Sequence, residues 1–189
     1  DDLTDAEFVL FNDQVAGELE GTYPVYATFV EMPGVTDTVD LDKLKWANGG
    51  YDKGELSRIY TLSGMMANRR ADLVVSSLLK YVTDIDDVKG LGFCVTIEHA
   101  EFMSDYFNAH GIPSMFLTGK SPDEERKEAK TRLVSGDVRF IFVVDIYNEG
   151  VDIPEVNTVL FLRPTESLTV FLQQLGRGLR LSEDKECLT

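Results

Sequence analysis

Hydrophobic positions in the second half of the chain alternate between two periods, one typical of buried strands and one typical of helices. Apolar runs over residues 92–97, 114–117, 138–144 and 157–162 predict four strands. Between them, residues 99–110 and 121–135 have helical spacing, and Gly111 and Gly136 follow as stop signals. Pro122 is expected at the first helical position of the second of these helices. Strands that alternate with helices of this length predict βαβ units, and hence a parallel sheet with helices on both faces.

The pattern is less regular before residue 92. A helix is predicted from residue 68 or 69 to residue 82, where the 3.6-residue period is given by Leu73, Val74, Leu78, Leu79 and Val82. Residues 32–51 have the composition of a loop, with Pro33-Gly34, several aspartates and Asn48-Gly49-Gly50, and Trp46 is expected to anchor that loop. Residues 8–11 fit a helix or a buried strand equally well, so their assignment stays open.

One more predicted helix, over residues 171–180, has two different faces. Leucines at 172, 175 and 179 form an apolar stripe that can dock on a core. Gln173, Arg177 and Arg180 recur at the same spacings on another stripe, so one amide and two guanidinium groups can point to one place. Guanidinium groups suit bidentate recognition of phosphate. The alternative is a solvated basic face at the end of a surface helix.

Composition limits the classes of protein to which the chain can belong. Its 189 residues with 43% apolar content fit one soluble domain with a sizeable core, or a domain with an appendage. Cys94 and Cys187 form no metal-ligand spacing, so we expect no metal site and a reducing, cytoplasmic environment. No apolar run approaches the length of a membrane span. The net charge of -15 disfavours a generally nucleic-acid-binding surface but leaves room for a local basic patch.

Polar residues follow the predicted strands, where parallel sheets bind their ligands. These residues are Thr96 after the first strand, Thr118 and Gly119 after the second, and Glu149, Gly150 and Asp152 after the third. We therefore predict a ligand site at the carboxyl edge of the sheet. Each residue also has a plainer interpretation: Asp152 can cap a turn before Pro154, Thr96 can simply end a strand, and Glu149 can be a solvated charge. His99 is interpreted as a helix-start or packing residue rather than a catalytic base.

Two of these segments together resemble a known protein family. Residues 148–154 (Asn-Glu-Gly-Val-Asp-Ile-Pro), followed by residues 173–180 (Gln-Gln-Leu-Gly-Arg-Gly-Leu-Arg), resemble motifs V and VI of superfamily-two helicases of the DEAD/DEAH-like, restriction-type group. Residues 92–97 resemble motif IV, and Thr118-Gly119 with residues 123–126 resemble the segment between these motifs. The resemblance covers residues 73–189, and residues 46–60 resemble the connector that precedes this lobe in restriction-type members.

The resemblance implies the fold and the domain organisation. Such helicases have two RecA-like lobes, and this sequence contains neither the Gly-rich phosphate loop nor the Asp-Glu box of the first lobe. Residues 70–189 are thus expected to form the second lobe, a RecA-like three-layer α/β/α sandwich with a mostly parallel sheet, truncated at its C-terminus. Residues 1–69 would be a connector that can include the tail of the first lobe.

The resemblance also implies an activity for a longer parent protein. That parent would be an ATP-dependent helicase or translocase, acting on DNA in preference to RNA, with Mg²⁺ held by the missing first lobe. The partners would be that first lobe, DNA and, as in some restriction-type members, an attached phospholipase-D-like nuclease domain. The isolated chain is not expected to hydrolyse ATP. The rival hypothesis is a non-enzymatic α/β module whose arginines bind a phosphate-bearing ligand or a protein, which the acidity of the chain favours.

Roles for individual residues follow from the resemblance alone. Arg180 matches the arginine finger that reaches the γ-phosphate, Arg177 matches its neighbour, and Gln173 matches the residue that couples phosphate to nucleic acid. Residues matched to the nucleotide are Glu149, Gly150 and Asp152; those matched to the nucleic-acid backbone are Thr96, Thr118 and Gly119. Val144 stands where many members have a threonine that contacts a nucleic-acid phosphate.

Overall fold

The computed structural model describes residues 46–47, 50–51, 64–144 and 153–163. Trp46–Ala47 (β1) and Gly50–Tyr51 (β2) form a short antiparallel pair. The prediction of a loop is therefore wrong at these four residues. Only Asn48-Gly49 separates the two strands in the sequence, and this dipeptide favours tight hairpins as well as loops. The turn-forming residues therefore mark the tip of a hairpin here rather than a stretch without strands.

The remaining elements alternate along the chain as the hydrophobic pattern predicts. They are α1 (Gly64–Tyr81), a single 3₁₀ turn (Ile85–Asp87), β3 (Gly90–Phe93), α2 (Ile97–Ala109), β4 (Ser114–Leu117), α3 (Asp123–Ser135), β5 (Phe140–Val143) and β6 (Thr158–Phe161). Strands β3 to β6 form one sheet in the order β4-β5-β3-β6, and every neighbouring pair is parallel. None of the helices in the described ranges is both long and apolar enough to cross a membrane.

Apolar side chains cover both faces of this sheet. On one face, Val75 of α1 and Phe107 of α2 belong to the same buried cluster as Phe140 and Phe142 of β5. On the other face, Leu133 of α3 belongs to a second cluster with apolar residues of β3, β4 and β5. Two helical layers with a parallel sheet between them are the predicted α/β/α sandwich, which is confirmed.

Two glycines of β3 make room for aromatic rings on β5. Gly90 pairs with Phe140 and Gly92 with Phe142 in the parallel register. A Cβ atom built on Gly90 would lie 2.1 Å from Phe140 Cε1, and one on Gly92 would lie 2.4 Å from Phe142 Cδ1. Phe107 meets both rings edge-on, at centroid distances of 5.2 and 4.9 Å. The two rings thus occupy the space over the glycines, an arrangement that the one-dimensional pattern does not reveal.

The first helix differs most from its prediction. It begins at Gly64, four or five residues before the predicted start, and its buried stripe is Ala67, Ala71, Val75 and Leu78. Leu79, which was counted toward the predicted period, is 57% exposed. The prediction follows the large apolar side chains. In the structure, Ala67 and Ala71 are among the buried residues, because an alanine leaves room for a neighbouring element to approach.

Boundaries near the sheet edge were predicted with mixed success. The strand β4 and the end of α3 at Gly136, which has a φ of 83°, are confirmed. The predicted strand over residues 92–97 is displaced, because β3 ends at Phe93 and α2 already begins at Ile97. Pro122 occupies the N-cap of α3 rather than its first helical position. The predicted helix over residues 171–180 lies outside the described residues.

Candidate nucleic-acid interface

The carboxyl ends of the four parallel strands meet at one edge, as predicted. Phe93 is in register with Val143 on one side and Phe161 on the other, and Leu117 is in register with Val143. The segments that follow these residues therefore emerge side by side, with β4 and β3 separated by roughly 10 Å because β5 lies between them. Thr118 and Thr96 follow β4 and β3 at this edge, so the structure brings these two predicted residues to a common face.

The loop after β4, residues 118–121, is closed by its own hydrogen bonds. The Ser121 N–H donates to the Thr118 carbonyl (3.1 Å), and the Thr118 N–H donates to the Ser121 hydroxyl oxygen (3.2 Å). The Lys120 N–H donates to Thr118 Oγ1 (3.2 Å). A hydroxyl that accepts one bond can still donate its own proton. Thr118 therefore keeps a donor that a phosphate oxygen can accept.

Gly119 is exposed at the tip of this loop, and the protein itself does not require a glycine there. No atom lies within 4 Å of a Cβ built on Gly119, and its φ is outside the left-handed region. Its N–H makes no hydrogen bond within the part of the chain that the structure describes. An open backbone donor without a side chain permits a phosphate group to approach closely.

Thr96 has a structural role at the same edge. It is the N-cap of α2, and its Oγ1 accepts the N–H of His99 at 3.3 Å. The Glu98 backbone N–H and then the Thr96 hydroxyl hold the pKa of the Glu98 carboxyl below its usual value. Glu98 is thus a charged group beside the predicted nucleic-acid contact. An acid in the first turn of a helix is favourable there because of the helix dipole.

His99 is a packing residue, as predicted. Its side chain is 3% exposed, and Nδ1 accepts the N–H of Val95 at 3.3 Å, which ties the β3–α2 connection to the first turn of α2. Burial, with the nearby charge of Arg70, lowers the pKa of His99 to about 4. The imidazole is therefore neutral at physiological pH, with Nδ1 unprotonated. Nothing in this arrangement leaves it available as a base for a bound ligand.

The neutral histidine predicts a specific pH dependence of stability. The pKa of His99 is about 4 in the folded chain and about 6.5 when unfolded, so between these values the unfolded state binds more protons. The free energy of unfolding should fall by about 3 kcal/mol as the pH decreases through this window, and this contribution should be complete above it. We expect His99→Asn, which keeps an acceptor but does not titrate, to flatten the difference when urea denaturation is measured between pH 7 and pH 4.5. Equal slopes in wild type and His99→Asn would contradict a buried neutral His99.

Two further residues near this edge, Val144 and Cys94, are buried among apolar side chains. Val144 is 7% exposed and belongs to the same buried cluster as Cys94, so its side chain packs in the core. Burial raises the pKa of the Cys94 thiol, which is therefore not a nucleophile. Within the described ranges, no three His, Cys, Asp or Glu side chains lie together as metal ligands.

The other predicted site residues lie outside the described residues; they are Gln173, Arg177, Arg180, Glu149, Gly150 and Asp152. Sequence reasoning assigned Arg126 of α3 no role beyond its place in the segment 123–126, whereas in the structure its guanidinium donates to the carbonyl oxygens of Ser121 and Gly119. Its sequence signal is weak, because an arginine in the first turns of a charged helix is expected to be solvated.

Comparison with known proteins agrees with this geometry. The profile of the helicase conserved C-terminal domain matches residues 73–182, which is more than half of the chain. A 51.5 kDa protein of Lactococcus phage (isolate 7-9) is 26% identical over 153 residues, covering 80% of this chain and 31% of that protein. The putative ATP-dependent helicase IRC3 of Saccharomyces cerevisiae is 27% identical over 126 residues, covering 66% of this chain and 18% of that protein.

A similar fold is found in the crystal structure of the E. coli DEAD-box protein SrmB bound to regulator of ribonuclease activity A. The TM-score is 0.54 at 22% sequence identity, covering 64% of this chain and 68% of that one. The chain spans about a third of the length of the phage relative and about a fifth of that of the yeast relative. Sequence profile, relatives and fold agree, and the chain belongs to the family of helicase conserved C-terminal domains.

Proposed function

We propose that this chain is the second motor lobe of an ATP-dependent helicase or translocase that acts on DNA in preference to RNA. Membership in the helicase C-terminal family supports the lobe assignment, and residues 70–189 are proposed as its extent, with residues 1–69 as the connector. Preference for DNA rests on the likeness to restriction-type members. The first lobe would supply the phosphate loop, and its carboxylates would hold the Mg²⁺ of the nucleotide.

The observation that carries the proposal is the loop 118–121 at the carboxyl edge. Thr118 offers a hydroxyl and Gly119 offers an exposed N–H, and both are donors suited to phosphate oxygens. Such contacts hold a nucleic-acid backbone without reading its sequence, as a motor that steps along any strand requires. Thr96 is proposed as a third contact, for which the hydroxyl must exchange its bond to Glu98 for one to a phosphate.

The nucleotide side of the proposal depends on residues beyond the described part. Arg180 would reach the γ-phosphate as an arginine finger, with Arg177 on the same phosphates and Gln173 coupling them to the strand. The nucleotide would meet Gly150 and Asp152, with Glu149 beside them. Closure of the two lobes on ATP and opening after hydrolysis would then move the backbone contacts along the strand.

The strong acidity of the chain limits how it can bind nucleic acid. A net charge of -15 repels a polyanion at long range, so affinity must come from local donors and from the other lobe. The acidity also favours the alternative hypothesis, in which the chain is a non-enzymatic module whose arginines bind a phosphate-bearing ligand. ATP hydrolysis separates the two hypotheses, because a binding module would not turn ATP over.

The decisive measurement is ATP hydrolysis by the full-length protein with single-stranded DNA, single-stranded RNA or neither. We expect stimulation by DNA at lower concentrations than by RNA. In Gly119→Val, the DNA concentration for half-maximal stimulation should rise about tenfold, since one backbone contact to phosphate is blocked. The saturated rate should stay near that of the wild type.

Gly64→Val is the matched control, because Gly64 is also exposed with no atom near its Cβ position. It should leave the half-maximal DNA concentration unchanged. Absence of hydrolysis under all three conditions would favour the binding module, and equal behaviour of both variants would remove Gly119 from the track.

A further inference from the structure

The guanidinium of Arg126 bridges two backbone carbonyl groups of the loop 118–121. Arg126 lies in the first turns of α3, and its Nε donates to the Ser121 carbonyl (3.0 Å) while Nη2 donates to the Gly119 carbonyl (3.1 Å). One rigid fork thus contacts two peptide oxygens of the loop 118–121. A lysine cannot reproduce this, because its ammonium is a point donor on a flexible stem.

These two bonds tie the loop to α3. Within the part of the chain that the structure describes, the other hydrogen bonds of Thr118, Lys120 and Ser121 lie inside the loop, and no atom lies within 4 Å of a Cβ built on Gly119. Pro122, at the N-cap of α3, makes no side-chain capping bond that could fix the loop against the helix. Arg126 is therefore a direct link between the loop and the body of the domain.

The clamp also decides which backbone groups remain available. The carbonyl oxygens of Gly119 and Ser121, which would repel a phosphate, accept bonds from the guanidinium. The Lys120 and Ser121 N–H groups are used inside the loop, whereas the Gly119 N–H is left as a donor within the described residues. Acceptors are turned toward α3, and donors remain for an anion.

We propose that Arg126 is a positioning residue for the nucleic-acid track: it holds the loop 118–121 so that the Gly119 N–H and the Thr118 hydroxyl meet one backbone phosphate. This rests on the proposed function of the lobe. The residue itself does not contact the nucleic acid. Its charge offsets the partial negative charge of the two loop carbonyl oxygens, and its planar fork fixes the direction in which they point.

Two variants of the full-length protein test this inference, Arg126→Ala and Arg126→Lys. In both we expect the single-stranded DNA concentration for half-maximal ATPase stimulation to rise about tenfold, with the saturated rate within about twofold of wild type. Lysine should fail to rescue because it keeps the charge but not the fork. Arg132→Ala, on the last turn of the same helix, should behave as wild type.

Salt dependence separates positioning from direct contact. For a positioning residue, the slope of the logarithm of DNA affinity against the logarithm of salt concentration should be the same in wild type and Arg126→Ala. A direct phosphate contact would reduce the slope by about 0.7 for single-stranded DNA, and that result would overturn the proposal. Full rescue by lysine would overturn it as well.

Amide hydrogen exchange tests the clamp without depending on motor activity. In Arg126→Ala, peptides that cover residues 118–121 should exchange at least about tenfold faster than in wild type, since a loop without the guanidinium bonds opens more often and breaks the hydrogen bonds of the Lys120 and Ser121 amides to Thr118. Unchanged exchange would show that Arg126 does not hold the loop and would refute the inference. If wild-type protein lacks DNA-stimulated hydrolysis, the proposed function fails, while the exchange result still decides whether the clamp exists.

Discussion

Replacing Arg180 by alanine in the full-length protein is expected to lower nucleic-acid-stimulated ATP turnover about a hundredfold or more, at saturating ATP and DNA. An arginine finger stabilises charge that develops on the γ-phosphate in the transition state, so its loss lowers the rate rather than substrate affinity alone. A hundredfold change corresponds to about 2.7 kcal/mol of transition-state stabilisation. Single-turnover and steady-state hydrolysis rates should show the same loss.

Arg180→Lys adds a finer test of the same residue. A lysine keeps the charge but presents no bidentate fork, so we expect turnover between those of wild type and Arg180→Ala. Arg132→Ala is the control, because Arg132 lies about 14 Å along α3 from the first residue of that helix, away from the carboxyl edge. Wild-type turnover in Arg180→Ala would mean that the arginine stripe is a solvated surface, and the finger assignment would have to be abandoned.

Gly92→Ala is expected to destabilise the domain by about 2–3 kcal/mol, although it adds one methyl group to a strand. The new Cβ would lie 2.4 Å from Phe142 Cδ1, and Phe142 is fully buried against Phe107. The ring can yield only if β5 or α2 shifts, because protein cores are densely packed. Urea denaturation with a common m-value would measure the loss.

A double-mutant cycle identifies the clash as the cause. In the Gly92→Ala background, Phe142→Leu should cost at least about 1 kcal/mol less than it does in wild type, because the smaller side chain relieves the overlap. Gly119→Ala is the control, with an expected change below about 0.5 kcal/mol, since no atom lies near its Cβ position. Additive effects of the two substitutions would exclude a direct clash between residues 92 and 142.

The hydrophobic period determined the element order and the sheet. Ser114–Leu117 and the end of α3 at Gly136 agree with the sequence prediction, because an apolar run bounded by turn residues and a glycine stop are local signals. The βαβ order then requires parallel strands, which places Thr118 and Thr96 at one edge of the sheet. Motif resemblance named the family, which the helicase C-terminal profile confirms.

Boundaries were less predictable where one residue can serve two elements. Thr96 reads as the end of an apolar strand, yet its side chain caps α2 and starts that helix two residues earlier than predicted. In α1, leucine at 79 fits the helical period as well as leucine at 78, and only the position of the neighbouring elements leaves one exposed and the other buried. Periodicity gives the existence of a helix but not the direction of its buried face.

The sequence alone determined the α/β/α class, the parallel sheet and the edge at which polar segments follow the strands, because these follow from short-range periods and from general rules of chain connection. Only the tertiary structure decided that Gly90 and Gly92 accommodate Phe140 and Phe142, that His99 is buried and neutral, and that Arg126 donates to the carbonyl oxygens of the loop 118–121. Each of these depends on contacts between residues that are distant in the sequence or are turned toward one another by a loop. Local sequence carries no record of such contacts, since packing and desolvation are set by whatever the folded chain brings alongside.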